Sequence, residues 1–154
     1  MTSSIKIIIL WLLTVCGFAA HSICDVLPMF WGKNMAIAAT DGNVDQGMIV
    51  FMMALSYLIP ACGVLCMLWK AKALKVINAV LAVLIGLFNI VHAFMELPSD
   101  NAGQYVVMPM MIIVGIVLAW YSVIYVKSAN EQEQSEARFD SAEREQTQTK
   151  FKED

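Results

Sequence analysis

Four long stretches of apolar residues dominate this chain and leave very few ways for it to fold. They cover about residues 5–27, 48–69, 73–97 and 104–126. A helix needs about 20 mainly apolar residues to cross the hydrocarbon core of a bilayer, and each stretch is long enough. Because backbone N–H and C=O groups find no water in lipid, such segments form helices. The pattern predicts an all-α membrane protein with four transmembrane helices.

The charged residues are concentrated at the C-terminal end of the chain. Only 15% of the 154 residues are charged, whereas 59% are hydrophobic. Residues 127–154 carry five of the ten Lys/Arg and eight of the thirteen Asp/Glu. We therefore expect a membrane domain over residues 1–127 and a polar tail over residues 128–154, either flexible and disordered or a frayed charged helix. The lipid bilayer is the expected partner, and without a basic patch nucleic acid is not expected.

The connections between the stretches predict an antiparallel four-helix bundle. Residues 70–72 form a very short link, so the second and third spans make a tight hairpin. Lysines at positions 6, 70, 72, 75 and 127 fall on one side of the predicted membrane, with only Lys33 on the other. The positive-inside rule then places both termini in the cytoplasm. In a bacterium the protein would lie in the inner membrane, with residues 28–47 on the periplasmic side.

The N-terminal segment admits a second interpretation. Lys6, the following apolar run and the small residues around Phe18 also resemble a signal peptide with a small-x-small cleavage site. We favour a retained first span because the apolar stretch continues to Leu27. Its end also matches the end of the third span.

Two short polar motifs occur at matching positions in the first and third spans. His21 precedes Asp25 by one helical turn, His92 precedes Glu96 in the same way, and both motifs close with Leu-Pro. Each histidine therefore shares a helix face with its carboxylate. Ionisable groups at membrane depth are costly and mark candidate functional sites. The predicted topology puts both motifs at the same, periplasmic end of the bundle.

A wider internal similarity supports this placement. The second span opens with Gln46 and the fourth with Gln104, and about 20 apolar residues and then a lysine follow each glutamine. The chain can therefore be read as two hairpins of the same topology, a 2+2 repeat. Internal repeats commonly place a site at their interface, but chance similarity between apolar segments stays an open alternative.

Three interpretations of the histidine and carboxylate residues remain open. The first is structural pairing, in a membrane subunit that binds only a partner, such as another copy of this chain. The second is a metal-dependent membrane enzyme, with His21, Asp25, His92 and Glu96 as ligands. Imidazole and carboxylate suit a divalent metal such as zinc or iron, whereas thioethers, which are abundant in the outer half, would favour Cu(I).

The third interpretation is the binding or transport of a small ligand, a proton or a metal ion, and we expect it to be the function. Histidine titrates near neutral pH, and a carboxylate one turn away favours its imidazolium form. Further hydrogen bonds at such a site would come from four side chains: Tyr57, Asn89, Gln104 and Tyr105.

One family resemblance covers about residues 8–126. Its landmarks are Leu10-Trp11, Asp25-Val26-Leu27, Gln46-Gly47, Ile59-Pro60, the segment from Lys70 to Asn78, and Trp120-Tyr121. In this order they resemble an uncharacterised family of small four-helix bacterial membrane proteins. The resemblance implies the four-helix topology and carries no established activity.

Overall fold

The computed structural model describes residues 2–34, 45–69, 71–96 and 101–153, with no β-strand among them. The helices are α1 (Ser3–Val26), α2 (Gln46–Met53), α3 (Ile59–Leu68), α4 (Lys72–Glu96) and α5 (Gln104–Glu153). A 3₁₀ turn at Leu27–Trp31 follows α1, and a π-helical turn at Ala54–Leu58 joins α2 to α3. The loop at residues 35–44, the lysine at position 70 and the Leu-Pro pair after the second histidine motif lie outside the described residues.

Four helical segments are long and apolar enough to cross a membrane, which confirms the predicted all-α class and its four spans. They are Ser3–Trp31, Gln46–Leu68, Lys72–Glu96 and Gln104–Phe139. Most of their large hydrophobic side chains are exposed, for example Leu12, Leu84 and Ile113. Apolar side chains on the outer surface of each helix suit contact with lipid tails, because the tails are as apolar as the side chains themselves.

Helix α5 continues far beyond the predicted fourth span. We expected the polar tail to be flexible or a frayed helix, and the structure continues α5 as one helix to Glu153. Glu, Gln and Ala are frequent in this extension, and all three have high helix propensity. Lys72, at the start of α4, also forms an ion pair with Glu133 at 2.7 Å. The hydrogen bond and the positive charge of Lys72 lower the pKa of Glu133 below its ordinary value.

The second membrane segment contains a local irregularity. Proline lacks the N–H that would bond one turn back, so a proline inside a helix disturbs the hydrogen-bond ladder. The π-helical turn ends at Leu58, immediately before the α3 segment that contains Pro60. Ser56 donates its hydroxyl proton to the carbonyl of Met52 at 2.7 Å within the same stretch. By contrast, Pro109 lies inside α5 without interrupting it.

Contacts between helices establish their relative directions. Ser4, at the start of α1, bonds to Tyr125 of α5 at 3.0 Å, whereas His21, late in α1, contacts Gln104 at the start of α5. These two helices therefore run antiparallel. Helix α5 also packs along α4, and α3 packs against α1 and α4.

The backbones of α4 and α5 approach each other closely at Gly86 and Gly115. A Cβ atom added to Gly86 would lie 3.0 Å from the carbonyl oxygen of Gly115, and one added to Gly115 would lie 3.1 Å from the Cα atom of Gly86. Small residues allow this approach, which supplies the van der Waals packing that holds membrane helices together. The contact fixes the depth at which α4 and α5 align.

Candidate functional site: a histidine pair with Asp25 and Gln104

The two histidine motifs meet in the structure. His21 of α1, His92 of α4 and Gln104 of α5 converge at one end of the helices, and Asp25 lies one turn beyond His21. His21 and Gln104 are buried, with 5% and 1% of their surface exposed. Asp25 keeps 47% of its side chain exposed. The cluster is therefore closed on the helix side and open to solvent at Asp25.

Hydrogen bonds join all four side chains. The Nδ1 atom of His21 lies 2.9 Å from Oε1 of Gln104, and its Nε2 atom lies 3.1 Å from Nε2 of His92. The same Nε2 of His21 lies 3.4 Å from Oδ2 of Asp25. Gln104 completes the ring by donating from Nε2 to Oδ1 of Asp25. Sequence reasoning predicted each of these residues as a site member.

The hydrogen bonds of Gln104 determine which ring nitrogen of His21 carries a hydrogen. A carboxylate only accepts hydrogen bonds, so the amide group of Gln104 must present its NH₂ to Asp25. The amide oxygen then faces His21, and it too is only an acceptor. It follows that Nδ1 of His21 carries a hydrogen, which it donates to Gln104.

The contact between the two imidazoles requires one shared proton. Two facing nitrogens at 3.1 Å form a hydrogen bond only if one of them carries a hydrogen and the other a lone pair. When His21 carries hydrogens on both nitrogens, its Nε2–H can serve the lone pair of His92 and the carboxylate of Asp25 together. The imidazolium and the carboxylate then cancel in charge, which suits a buried site.

Other protonation states fit the geometry less well. If both imidazoles were neutral, the bare Nε2 of His21 would face the oxygen of Asp25 without a hydrogen between them. If both were charged, two N–H groups would point at each other across the 3.1 Å contact. The arrangement is therefore complementary to a single added proton.

Aromatic residues close the inner side of the cluster. The ring of Phe88 stacks on His92 with centroids 5.3 Å apart and planes 12° apart, and Phe18 lies 6.3 Å from Phe88. Phe18 belongs to a buried apolar group with Met108 and Met111. Sequence reasoning missed Phe88, although its position one turn before His92 on the same face was a usable signal.

A second buried polar chain lies toward the opposite end of the helices. Trp11 of α1 donates Nε1–H to Oδ1 of Asn78 at 2.8 Å, and Asn78 donates to the Ser122 hydroxyl of α5 at 3.1 Å. Nothing in the sequence spacing identified Trp11 or Ser122 as partners of Asn78. Among the described residues, no hydrogen bond joins this group of polar side chains to the histidine pair.

The remaining predicted site residues do not join the cluster. Within the described residues, Glu96 forms no hydrogen bond or ion pair. Tyr57 and Tyr105 are exposed at 62% and 55%, so neither contributes to the buried network. Asn89 is buried and donates instead to the backbone carbonyl of Met111 at 3.2 Å.

The contacts around the histidines are not symmetric between the two hairpins. Gln104 binds His21, whereas Gln46, its counterpart in the predicted repeat, is exposed. A repeat at the sequence level would therefore not be matched by equivalent hydrogen bonds at the site.

The described residues do not form a full set of metal ligands. Within residues 2–34, 45–69, 71–96 and 101–153, no group of three or more His, Cys, Asp and Glu side chains is placed to hold a metal ion. The four cysteines are unpaired thiols, and only Cys66 is fully buried. The predicted set of two histidines and two carboxylates thus comes together only in part.

Comparison of the chain with protein-family models, with curated proteins and with solved structures finds no match. The family resemblance of the sequence motifs therefore stays a prediction, and the site has to be interpreted from its own geometry.

Proposed function

We propose that this chain is an acid-responsive membrane protein that binds and exchanges one proton at the site formed by His21, His92, Asp25 and Gln104. The observation that carries the proposal is the 3.1 Å contact between the two Nε2 atoms. This contact joins α1 to α4, and the Nδ1 bond to Gln104 joins α1 to α5. Gain or loss of the shared proton would therefore change how three helices pack.

The proposed topology is an antiparallel four-helix bundle in a bacterial inner membrane, with both termini in the cytoplasm. Two lysines at the end opposite to the histidines lie over aromatic rings: Lys6 over Tyr121 and Lys75 over Tyr125. A basic, aromatic end is typical of the cytoplasmic interface. The proton site would then exchange with the periplasm through the half-exposed Asp25.

Binding at one face is better supported than conduction across the membrane. Phe88 and Phe18 lie on the inner side of His92, and Met108 and Met111 pack beside them. Proton passage needs a chain of hydrogen-bonding groups or water, whereas these side chains are apolar. The site therefore fits a sensor or an exchange site better than a channel.

Metal binding is a second candidate function, which the 3.1 Å distance between the two Nε2 atoms also favours. Two imidazole nitrogens on one tetrahedral zinc ion lie about 3.3 Å apart, since Zn–N bonds are about 2.0–2.1 Å. However, no third histidine, cysteine or carboxylate is suitably placed in the part of the chain that the structure describes. We therefore expect added Zn²⁺ to leave the thermal midpoint of the protein unchanged.

The test is the pH dependence of stability of the full chain in detergent or nanodiscs. Acidification loads a second proton that the folded cluster resists, so the unfolded state binds more protons and stability falls as pH falls below about 6.5. We expect this loss in acid to be about 1–3 kcal/mol.

One variant tests that profile. His92→Gln removes the second imidazole and should abolish the loss caused by the second proton. Glu136→Gln is the matched control, because this exposed carboxylate lies on the polar extension of α5. A wild-type profile unchanged by His92→Gln would overturn the proposal. A Zn²⁺-dependent rise in the midpoint that His92→Gln removes would identify a metal site instead.

A further inference from the structure

A cavity of about 260 Å³ lies between α1 and α5, away from the histidine pair. Its walls are almost entirely apolar and include Leu13, Gly17 and Ala20 of α1 and Val107 and Met110 of α5. An apolar cavity of about 150 Å³ holds benzene in a well-studied engineered protein, so this volume accommodates a substituted ring. Small residues on α1 create the space, because larger side chains at these positions would fill it.

The cavity opens toward the lipid side of the helices. Leu13 is 47% exposed and Met110 is 54% exposed, and Val106 at the same rim is 69% exposed. A ligand can therefore enter from the hydrocarbon phase without crossing the polar end of the protein. This route selects molecules that dissolve in the bilayer.

Asn89 of α4 lines the same cavity and provides an unsatisfied acceptor. Its side chain is only 1% exposed, and its Nδ2 group donates to the carbonyl of Met111. Its Oδ1 atom is buried without a hydrogen-bond partner among the described residues. Buried polar atoms are nearly always paired in proteins, so an unpaired one requires an explanation.

The second polar side chain of the cavity also offers an acceptor. Thr14 lines the wall and uses its hydroxyl proton on the carbonyl of Leu10 at 2.9 Å. The Thr14 oxygen can still accept a hydrogen bond, but its proton is occupied. The orphaned Oδ1 atom of Asn89 can only accept a hydrogen bond, so a ligand that satisfies it must bring the donor.

We infer that this cavity binds a small membrane-soluble molecule with an apolar ring and one hydroxyl donor, of the phenol class, whose O–H bonds to Oδ1 of Asn89. The apolar walls hold the ring, and the hydroxyl satisfies the orphaned Oδ1 acceptor of Asn89. In hydrocarbon such a donor has no water to compete for it. The inference is independent of the proton site, because none of the histidine-cluster residues lines the cavity.

The experiment compares two ligands of matched shape by ¹⁹F NMR, using the full chain in lipid nanodiscs and empty nanodiscs as reference. 4-Fluorophenol carries the donor, whereas 4-fluorotoluene has a methyl group in its place. With affinity expressed relative to the ligand concentration in the lipid, we expect saturable binding of the phenol, about tenfold tighter than that of the toluene. One buried hydrogen bond of ordinary strength supplies that factor.

Three variants locate the binding. Ala20→Leu fills the cavity and should abolish binding of both ligands. Ala19→Leu is the matched control, because this neighbouring residue is exposed and does not line the cavity. Asn89→Leu keeps the number and branching of the side-chain heavy atoms but removes the acceptor, so it should remove the preference for the phenol.

Any of three results would overturn the inference. The first is equal affinity of the wild-type protein for both ligands, and the second is a signal no different from that of empty nanodiscs. The third is phenol binding that Ala20→Leu leaves unchanged. The comparison of ligands on wild-type protein needs no variant, so poor folding of Asn89→Leu would not prevent a decision.

Discussion

Two residues of very different size, Trp11 and Gly63, pack against each other where α1 meets α3. Trp11 is completely buried, and its indole ring covers Gly63 so closely that a Cβ atom there would overlap the ring. The ring cannot move aside freely, because its Nε1–H donates to Asn78. Glycine at position 63 is therefore required by contact rather than by backbone conformation.

Substitution Gly63→Ala should destabilise the protein by about 1–3 kcal/mol, the usual cost of overpacking a well-filled core. The measurement is reversible unfolding in mixed micelles, with Leu65→Ala on the exposed side of α3 as the control. A Gly63→Ala protein as stable as the wild type would show that Trp11 does not pack on α3 as described.

Asn78 connects three helices and offers a second test at the level of one residue. Asn78→Leu leaves both Trp11 and Ser122 without a buried partner, so we expect a loss of about 1–3 kcal/mol in unfolding free energy. Ser56→Ala is the control, since its hydroxyl bonds only within its own helix. If Trp11→Phe and Asn78→Leu had fully additive effects, the bond between them would contribute nothing.

Single residues also show where sequence reasoning succeeds and where it stops. Helical spacing was sufficient to place His21 with Asp25, and the topology suggested that His92 lies at the same depth. Among the described residues Glu96 makes no hydrogen bond or ion pair with His92, whose Nε2 atom contacts His21 on another helix instead. Spacing describes one helix at a time, whereas the rotation of each helix toward its neighbours is decided by packing.

At the scale of elements, the four spans are predictable because hydrophobic length alone defines them. The finer irregularities depend on local competition between hydrogen bonds. Pro60 follows a π-helical turn, but Pro109 is accommodated inside α5. The polar extension of α5 was ambiguous, because its composition suits both a helix and a disordered segment.

The ion pair between Lys72 and Glu133 links the start of α4 to the extension of α5. Glu133→Gln should speed amide hydrogen exchange in the extension near residue 133 while leaving the apolar part of α5 protected. Since Lys72 lowers the pKa of Glu133, the pair is present above the ordinary carboxyl range and is lost only as pH falls through the lowered value. Exchange that does not change in the variant would show that the pair does not hold the extension.

At the scale of the whole molecule, the proposed proton site lies where three helices meet. Helices α1, α4 and α5 each contribute one side chain to the ring of hydrogen bonds around His21. The apolar surfaces of these helices can slide against lipid at little cost, since lipid is as apolar as the side chains. The polar contacts therefore determine the relative positions of the helices at this end.

The most direct test of this account is ¹⁵N NMR of the full chain in bilayers with labelled histidine. The chain contains only two histidines, so every ring signal belongs to His21 or His92. Near neutral pH we predict scalar coupling between the two Nε2 atoms through their shared hydrogen, with Nδ1 of His21 protonated, and loss of that coupling in acid. Two rings that titrate independently, with no coupling at any pH, would contradict the central claim.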